Sequence, residues 1–207
     1  MEIESHDIVR LQVFTTIIED IDNEKLLNEI NNTKNIIPEE LISGFGKKTT
    51  HTWFEDGMYP WGKPEALNLT KKIEDMCKLV SSSEMRVDEA WTITLNQGQS
   101  VTAHSHRSNW HMYPNEYLSA AYYVDAPEGS APLIFEAGYC DIAQNTYSIT
   151  PKTGMLVIFN SFMKHMTGRH LSDSPRVVVS SNLSPINPSQ TRQPDLSPYI
   201  VGRGQAR

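Results

Sequence analysis

The chain has 207 residues, of which 39% are hydrophobic, and its formal net charge is −7. This length suits one domain with a real hydrophobic core, and the acidic balance argues against a nucleic-acid surface, which needs clustered Lys and Arg. No apolar run reaches the roughly 18–20 residues of a membrane helix, and the acidic residues 1–7 lack the layout of a secretory signal. The two cysteines, Cys77 and Cys140, are far apart in the sequence and do not make a disulfide framework. We therefore expect a cytoplasmic protein without a membrane partner.

The first part of the chain predicts strands and two helices. Residues 8–18 are rich in β-branched side chains and predict a strand. Residues 22–30 begin with an N-cap candidate, Asp22, and predict a short amphipathic helix; a second helix is predicted from residue 65 to about 80. A strand is also predicted at 49–54, within the otherwise loop-like segment 33–64. We expect residues 1–87 to form a strand-and-helix region that packs on the core.

From residue 89 onward, short apolar or alternating runs are separated by turn residues. The runs are 90–95, 100–106, 118–125, 132–136, 146–149, 154–160 and 176–183. Many short strands at intervals of about ten residues are typical of an antiparallel sandwich or barrel. We therefore place the β core at 88–187, followed by an extended tail at 188–207, in a single structural domain.

Three histidines are the first candidates for chemistry. His104 and His106 are two residues apart, and in an extended strand such residues share a face. A third imidazole, His165, which a short loop after the predicted strand at 154–160 presents, can close a three-point site on a metal ion with open positions, as an oxygen-activating iron needs. A single strand histidine more often faces solvent or bonds locally, but this spacing favours metal. His170, which follows Gly168 and Arg169, is interpreted as a surface histidine.

Arg176 begins the last predicted strand. Alternation places Arg176, Val178, Ser180 and Asn182 on one face. An arginine here is either an exposed edge charge or a group that grips a carboxylate with both arms of its guanidinium.

These motifs, in this order, resemble the non-haem Fe(II), 2-oxoglutarate-dependent oxygenases. The resemblance rests on His104-x-His106, His165 and Arg176, together with the strands at 119–124 and 151–159 and the pair Arg176 and Asn182, and it covers most of residues 8–187. The nearest likeness is to the subfamily with His-x-His in place of His-x-Asp. It implies a mainly β protein with N-terminal helices and a double-stranded β-helix (jelly-roll) core.

The resemblance also implies cofactors and roles. Fe(II) would be bound by His104, His106 and His165, with His106 where a carboxylate is usual. Arg176 would bind the far carboxylate of 2-oxoglutarate with Tyr122 near the same carboxylate, and Asn96 would lie near the 1-carboxylate end. The implied activity is hydroxylation or another oxidation, with O2, of a C–H bond in a small molecule or amino-acid side chain, which yields succinate and CO2. The loop after His106 offers substrate-facing candidates, Trp110, His111 and Tyr113. A homodimer is compatible with the sequence.

Two alternatives remain open at this point. Gly98-x5-His104-x-His106 also matches the cupin motif, in which a later glutamate is a ligand, so Glu116 is an alternative third ligand to His106. A cupin-type metal enzyme that does not use 2-oxoglutarate, and a jelly-roll binding protein without catalysis, are the corresponding alternative functions.

Overall fold

A computed structural model of the chain describes residues 11–32, 48–52, 62–81, 83–106, 117–136 and 145–186. In these residues two helices accompany nine strands. The elements are β1 (Val13–Ile17), α1 (Asn23–Asn31), β2 (Lys48–Thr52), α2 (Pro64–Val80), β3 (Met85–Leu95), β4 (Leu118–Asp125), β5 (Leu133–Glu136), β6 (Thr146–Ile149), β7 (Met155–Asn160), β8 (His165–Thr167) and β9 (Arg176–Pro185). The expected mainly β protein with N-terminal helices is confirmed.

The strands form two antiparallel sheets. The larger sheet has the order β1-β7-β4-β9-β3-β2, and the smaller has the order β6-β5-β8. Apolar side chains of both sheets meet in one buried cluster, here called the inner core, whose members include Leu95, Tyr123, Phe159 and Val178 from the larger sheet and Leu133 and Phe135 from the smaller. The functional residues described below lie in this layer.

The two helices cover the opposite face of the larger sheet. Their buried side chains include Leu26 and Ile30 of α1 and Leu69, Ile73 and Cys77 of α2, at helical spacing. They pack against outward-facing strand residues such as Tyr122, Leu156 and Val179, in a second cluster here called the outer core. The larger sheet is therefore buried on both faces.

Each helix is capped by a carboxylate of the other. Glu65 of α2 accepts a hydrogen bond through Oε1 from the backbone N–H of Asp22, the N-cap of α1, at 3.0 Å. Glu29 of α1 accepts from the backbone N–H groups of Glu65 and Ala66 at 3.1 and 3.0 Å. Because the first N–H groups of a helix have no partner within it, these carboxylates satisfy donors that would otherwise be left without one.

Three expectations need correction. Residues 100–106 do not form a strand; they run beside β8 and share with it a single bridge, between His104 and His165. His165 itself lies in the short strand β8, where a loop was expected. His170 is not on the surface, because it is 0% exposed.

Some expectations concern residues outside the described ranges: the start of the strand predicted at 8–18, the loop after His106, and the tail at 188–207. In the described part of the chain, no helix has the length and apolarity needed to cross a membrane.

Candidate metal centre

The three predicted histidines come together. His104 and His165 pair through their main chains, with N–H to O distances of 2.9 and 2.8 Å in the two directions. The backbone N–H of His106 donates to Ser161 at 3.0 Å, which holds the segment over the end of β7. One ring nitrogen from each histidine lies within 4.8 Å of the other two, so the fold forms a three-nitrogen cluster.

The hydrogen bonds of two histidines define which ring nitrogen is free. Nδ1 of His104 lies 2.8 Å from the carbonyl of Thr102, and Nδ1 of His165 lies 2.9 Å from the carbonyl of Met163. A carbonyl oxygen only accepts hydrogen bonds, so Nδ1 is the donor in each ring. In the neutral rings Nε2 then carries a free lone pair, which is the form that binds a metal ion.

His106 is held in the same form by side chains. Its Nδ1 donates to Oδ1 of Asn182 at 2.7 Å, and Nδ2 of Asn182 donates to Oε2 of Glu89 at 2.9 Å. The carboxylate accepts only, and therefore the amide must turn its oxygen towards His106. Ser119 adds a second contact, with its Oγ 3.1 Å from Nδ1 of His106 and 2.9 Å from Oδ1 of Asn182.

The resulting cluster suits a divalent cation. Burial lowers the pKa of His106 to about 3 and that of His165 to about 4, with the neighbouring histidines adding to the effect, so both rings are neutral near pH 7. Nε2 of His104 and Nε2 of His106 are 3.1 Å apart, and two lone pairs at that distance repel each other unless a metal ion or a proton lies between them. Imidazole nitrogen suits Fe, Zn, Ni and Cu, so the residues present fit an iron ion.

The cluster opens into a cavity between the two sheets. Apolar side chains such as Ile93, Leu133 and Phe159 form most of the wall of this cavity. Arg176 and Tyr123 line the same cavity as the three histidines. A mostly apolar wall with a few polar groups is typical of small-molecule sites.

Arg176 is a buried cation in this cavity. It is 2% exposed, its Nη1 donates to the carbonyl of Ala131 at 2.9 Å, and its guanidinium carbon lies 5.3 Å from the centre of the Tyr123 ring. Among the described residues no carboxylate pairs with it, and its Nε has no hydrogen-bond partner. Burial lowers the pKa of Arg176. A buried charge without a counter-ion costs several kcal/mol, and the site therefore favours an anionic ligand.

Two of the predicted cofactor residues lie elsewhere. Tyr122 points into the outer core, where its hydroxyl donates to Oδ1 of Asn23 at 2.9 Å. Its neighbour Tyr123, rather than Tyr122, lies beside Arg176. Asn96 is an exposed turn residue that does not line the cavity, and its backbone N–H donates to Gln99. The other candidates, Glu116, Trp110, His111 and Tyr113, lie outside the described residues.

The structure adds a residue that the sequence reasoning missed. The buried ring of His170 accepts from the backbone N–H of Ala131 at 3.2 Å and donates to the carbonyl of Ser174 at 2.7 Å. The carbonyl of the same Ala131 accepts from Arg176, so His170 holds the backbone of the residue that orients the arginine. Since these partners are backbone groups, one of them 39 residues away, no local pattern could have identified this role.

Comparisons with known proteins agree with this geometry. Residues 89–182 match the family model described as "Putative 2OG-Fe(II) oxygenase". Among curated proteins, none matches the chain.

Solved structures show the same fold. One is SnoK, a non-heme alpha ketoglutarate dependent carbocyclase from nogalamycin biosynthesis, with a TM-score of 0.61 and 14% identity over 84% of this chain and 79% of that one. Another is HygX from Streptomyces hygroscopicus with nickel, 2-oxoglutarate and hygromycin B bound, with a TM-score of 0.62 and 12% identity over 85% and 83% of the two chains. A prolyl-4-hydroxylase of Pseudomonas putida aligns at 0.54, with 9% identity over 84% and 93%. The expected double-stranded β-helix is confirmed.

Proposed function

We propose that the chain, whose residues 89–182 match the family model of the putative 2OG-Fe(II) oxygenases, is an Fe(II)- and 2-oxoglutarate-dependent dioxygenase. It would hydroxylate, or otherwise oxidise, a C–H bond of a small molecule or an amino-acid side chain. The observation that carries the proposal is the combination in one cavity of three convergent histidines and a buried arginine that pairs with no carboxylate of the described residues. A metal site alone would not require that cation.

The three histidines would hold the iron through their Nε2 atoms. Bound iron, with 2-oxoglutarate and O2, supplies the oxidising chemistry, in which 2-oxoglutarate is converted to succinate and CO2. The contribution of the protein is to position these groups and to exclude water. The hydrogen bonds from Nδ1 of His104, His106 and His165 hold the three rings in the orientation that binding requires.

Arg176 would bind the carboxylate of 2-oxoglutarate that lies away from the metal. A guanidinium offers two parallel N–H donors to a carboxylate, and the bond is strengthened by both charges. Burial of Arg176 increases this attraction because little water screens it. The Tyr123 ring packs against the guanidinium and helps to hold it in place.

The first test is whether 2-oxoglutarate binds through Arg176. In the presence of Mn(II), which binds without starting turnover, 2-oxoglutarate should raise the melting temperature of the wild-type protein. In Arg176→Leu its affinity should fall at least about tenfold, since a charge-assisted hydrogen bond is worth roughly 1.5–3 kcal/mol. Arg169→Leu, which removes a nearby exposed arginine, is the matched control and should bind like the wild type.

The second readout is turnover. With Fe(II) and O2, the wild-type protein should form succinate from 2-oxoglutarate, and Arg176→Leu should not do so at the same cofactor concentration. Unchanged 2-oxoglutarate binding in Arg176→Leu would rule out the assigned anchor. Metal binding by the wild type with neither a 2-oxoglutarate shift nor succinate would instead support a metal enzyme of the cupin type.

A further inference from the structure

A carboxylate lies directly behind the three-nitrogen cluster. Glu89 on β3 accepts from the amide of Asn182 on β9, and the same amide accepts from His106. The line from carboxylate to amide to imidazole is continuous, with distances of 2.9 and 2.7 Å. Glu89 and Asn182 are also register partners in the sheet, so the backbone holds the two side chains opposite each other.

A β-bulge places Glu89 on this face. The register between β3 and β9 shifts between Val87 and Glu89. Met85 and Val87 point into the outer core, whereas Ile93 and Leu95 point into the inner core. In a regular strand all of these odd-numbered residues would share one face, so the extra residue, Asp88, reverses the alternation and turns Glu89 towards the metal cluster. Bulges next to active sites often redirect a side chain in this way.

We propose that Glu89 and Asn182 are positioning residues of the metal centre. Through the amide of Asn182, the carboxylate of Glu89 supplies the negative charge that His106 does not provide as a ligand. The proposal rests on the metal site of the proposed function. Many oxygen-activating iron sites combine two histidines with one carboxylate, whereas this cluster consists of three imidazoles and is one charge more positive.

Two separable effects follow from the geometry. Asn182 holds the proton of His106 on Nδ1, so that Nε2 stays free for the metal. Glu89 orients the amide and, through it, polarises the Nδ1–H bond of His106, which makes Nε2 a stronger donor towards a cation. Such outer partners of metal ligands are commonly worth 10–100-fold in metal affinity.

Two substitutions separate orientation from charge. Asn182→Ala removes the acceptor of His106. Glu89→Gln keeps an oxygen that accepts from Asn182 but removes the charge. Asp88→Asn is the matched control, because it removes one charge from the adjacent residue, whose carboxylate bonds to Arg86. Ser119→Ala tests whether the weaker contact to His106 matters.

The measurements use the full chain without 2-oxoglutarate, so they do not depend on turnover. The affinity for Co(II) is measured by competition with a chelator, and the protonated ring nitrogen of His106 is identified by ¹⁵N NMR of the metal-free protein. Circular dichroism and the melting temperature establish that each variant is folded. If the dioxygenase activity itself proved absent, these readouts would still decide the role of Glu89 and Asn182.

We expect Asn182→Ala to weaken Co(II) binding about 10–100-fold and to shift the His106 proton partly to Nε2. Glu89→Gln should weaken binding by a smaller factor while the proton stays on Nδ1, and Ser119→Ala should weaken binding less than Asn182→Ala does. Asp88→Asn should remain within about twofold of the wild type. Affinity within twofold of wild type in folded Asn182→Ala, or equal losses in Glu89→Gln and Asp88→Asn, would overturn the proposal. The Glu89→Gln result stands on its own if Asn182→Ala does not fold.

Discussion

Tyr122 and Tyr123 are neighbours on β4 with opposite surroundings. Tyr122 bonds to Asn23 at the start of α1 and lies in the outer core, and Tyr123 lies against Arg176 in the inner core. Burial raises the pKa of both phenols, that of Tyr122 to about 12. The two side chains therefore contribute to different properties, one to the attachment of the helix layer and one to the proposed cofactor site.

Substitution at the two positions should separate stability from cofactor binding. Tyr122→Phe removes one hydrogen bond and should lower the free energy of unfolding by about 1 kcal/mol, a fall of roughly 2–4 °C in melting temperature for a protein of this size, with unchanged 2-oxoglutarate affinity. Tyr123→Leu removes the ring beside Arg176 and should weaken 2-oxoglutarate binding about fivefold, from a contact worth about 1 kcal/mol. Calorimetry in the presence of Mn(II) measures both the melting temperature and the affinity for 2-oxoglutarate. Weaker 2-oxoglutarate binding in Tyr122→Phe, with unchanged binding in Tyr123→Leu, would contradict the assignment.

At the site, the types of residue were more predictable than the face of the sheet towards which each side chain points. The spacing of His104, His106 and His165 was enough to predict the cluster that the structure contains. The resemblance selected Tyr122, and alternation could not have distinguished it from Tyr123. Seven consecutive residues of β4 are buried, and a strand buried on both faces has no polar side to mark its orientation. Glu89 was missed for a related reason, since the bulge that turns it inwards depends on pairing with β9.

At the scale of elements, the two helices stabilise each other through Glu29 and Glu65. The backbone N–H of Asp22, with smaller contributions from Asn68 and Lys25, holds the pKa of Glu65 below its ordinary value of 4.5. A carboxyl group whose pKa is lowered by folding stabilises the protein above its ordinary pKa, and this contribution is lost as the pH falls through the lower folded value. The junction between α1 and α2 should therefore weaken in acid.

Glu65→Ala should lower stability by about 1–2 kcal/mol at pH 7, as expected for the loss of a helix-capping group. The difference from the wild type should shrink as the pH falls from about 5 to below the folded pKa of Glu65, because the protonated wild-type side chain also loses the contribution. Thermal unfolding curves over this pH range measure the effect. Asp75→Ala, which removes an exposed carboxylate from the middle of α2, is the control, and an equal pH-dependence in both variants would refute the explanation.

Element prediction was accurate where the pattern was local. The predicted limits of β4 and β6 match the observed strands, and α2 was predicted within one residue at its start. It failed for residues 100–106, because a strand needs a partner along its length and β8 is only three residues long. The sequence shows the β-forming character of the segment, but it does not show how much edge the neighbouring sheet offers.

At the scale of the molecule, the site joins parts that are distant in the chain. His104 and His106 lie before β4, and His165 lies 59 residues after His106 in the smaller sheet. A metal ion bound to all three would link the two segments, and it would bind the folded state alone, since no such cluster exists in an unfolded chain. The larger sheet connects this inner layer to the helices, because its strands contribute to both cores.

Cys77 offers a probe of that connection. It lies in α2 on the far side of the sheet from the cluster, it is 0% exposed, and burial raises the pKa of its thiol to about 12. In a Cys140→Ser background, a thiol reagent should therefore modify Cys77 only when the protein unfolds. Mn(II) at about 100 times its dissociation constant should lower the unfolded fraction, and with it the labelling rate, about 100-fold, or about 2.7 kcal/mol.

The control for this labelling experiment is the same variant with His104→Ala and His165→Ala, in which Mn(II) should have no effect on the rate. If the rate in the intact site were also indifferent to Mn(II) at a concentration shown to bind, α2 would open without the rest of the molecule. The helices and the metal-binding layer would then be separate folding units. Cys77 itself has no contact with the three histidines. A 100-fold effect therefore requires that the helices and the metal-binding layer, on the two faces of the larger sheet, unfold together.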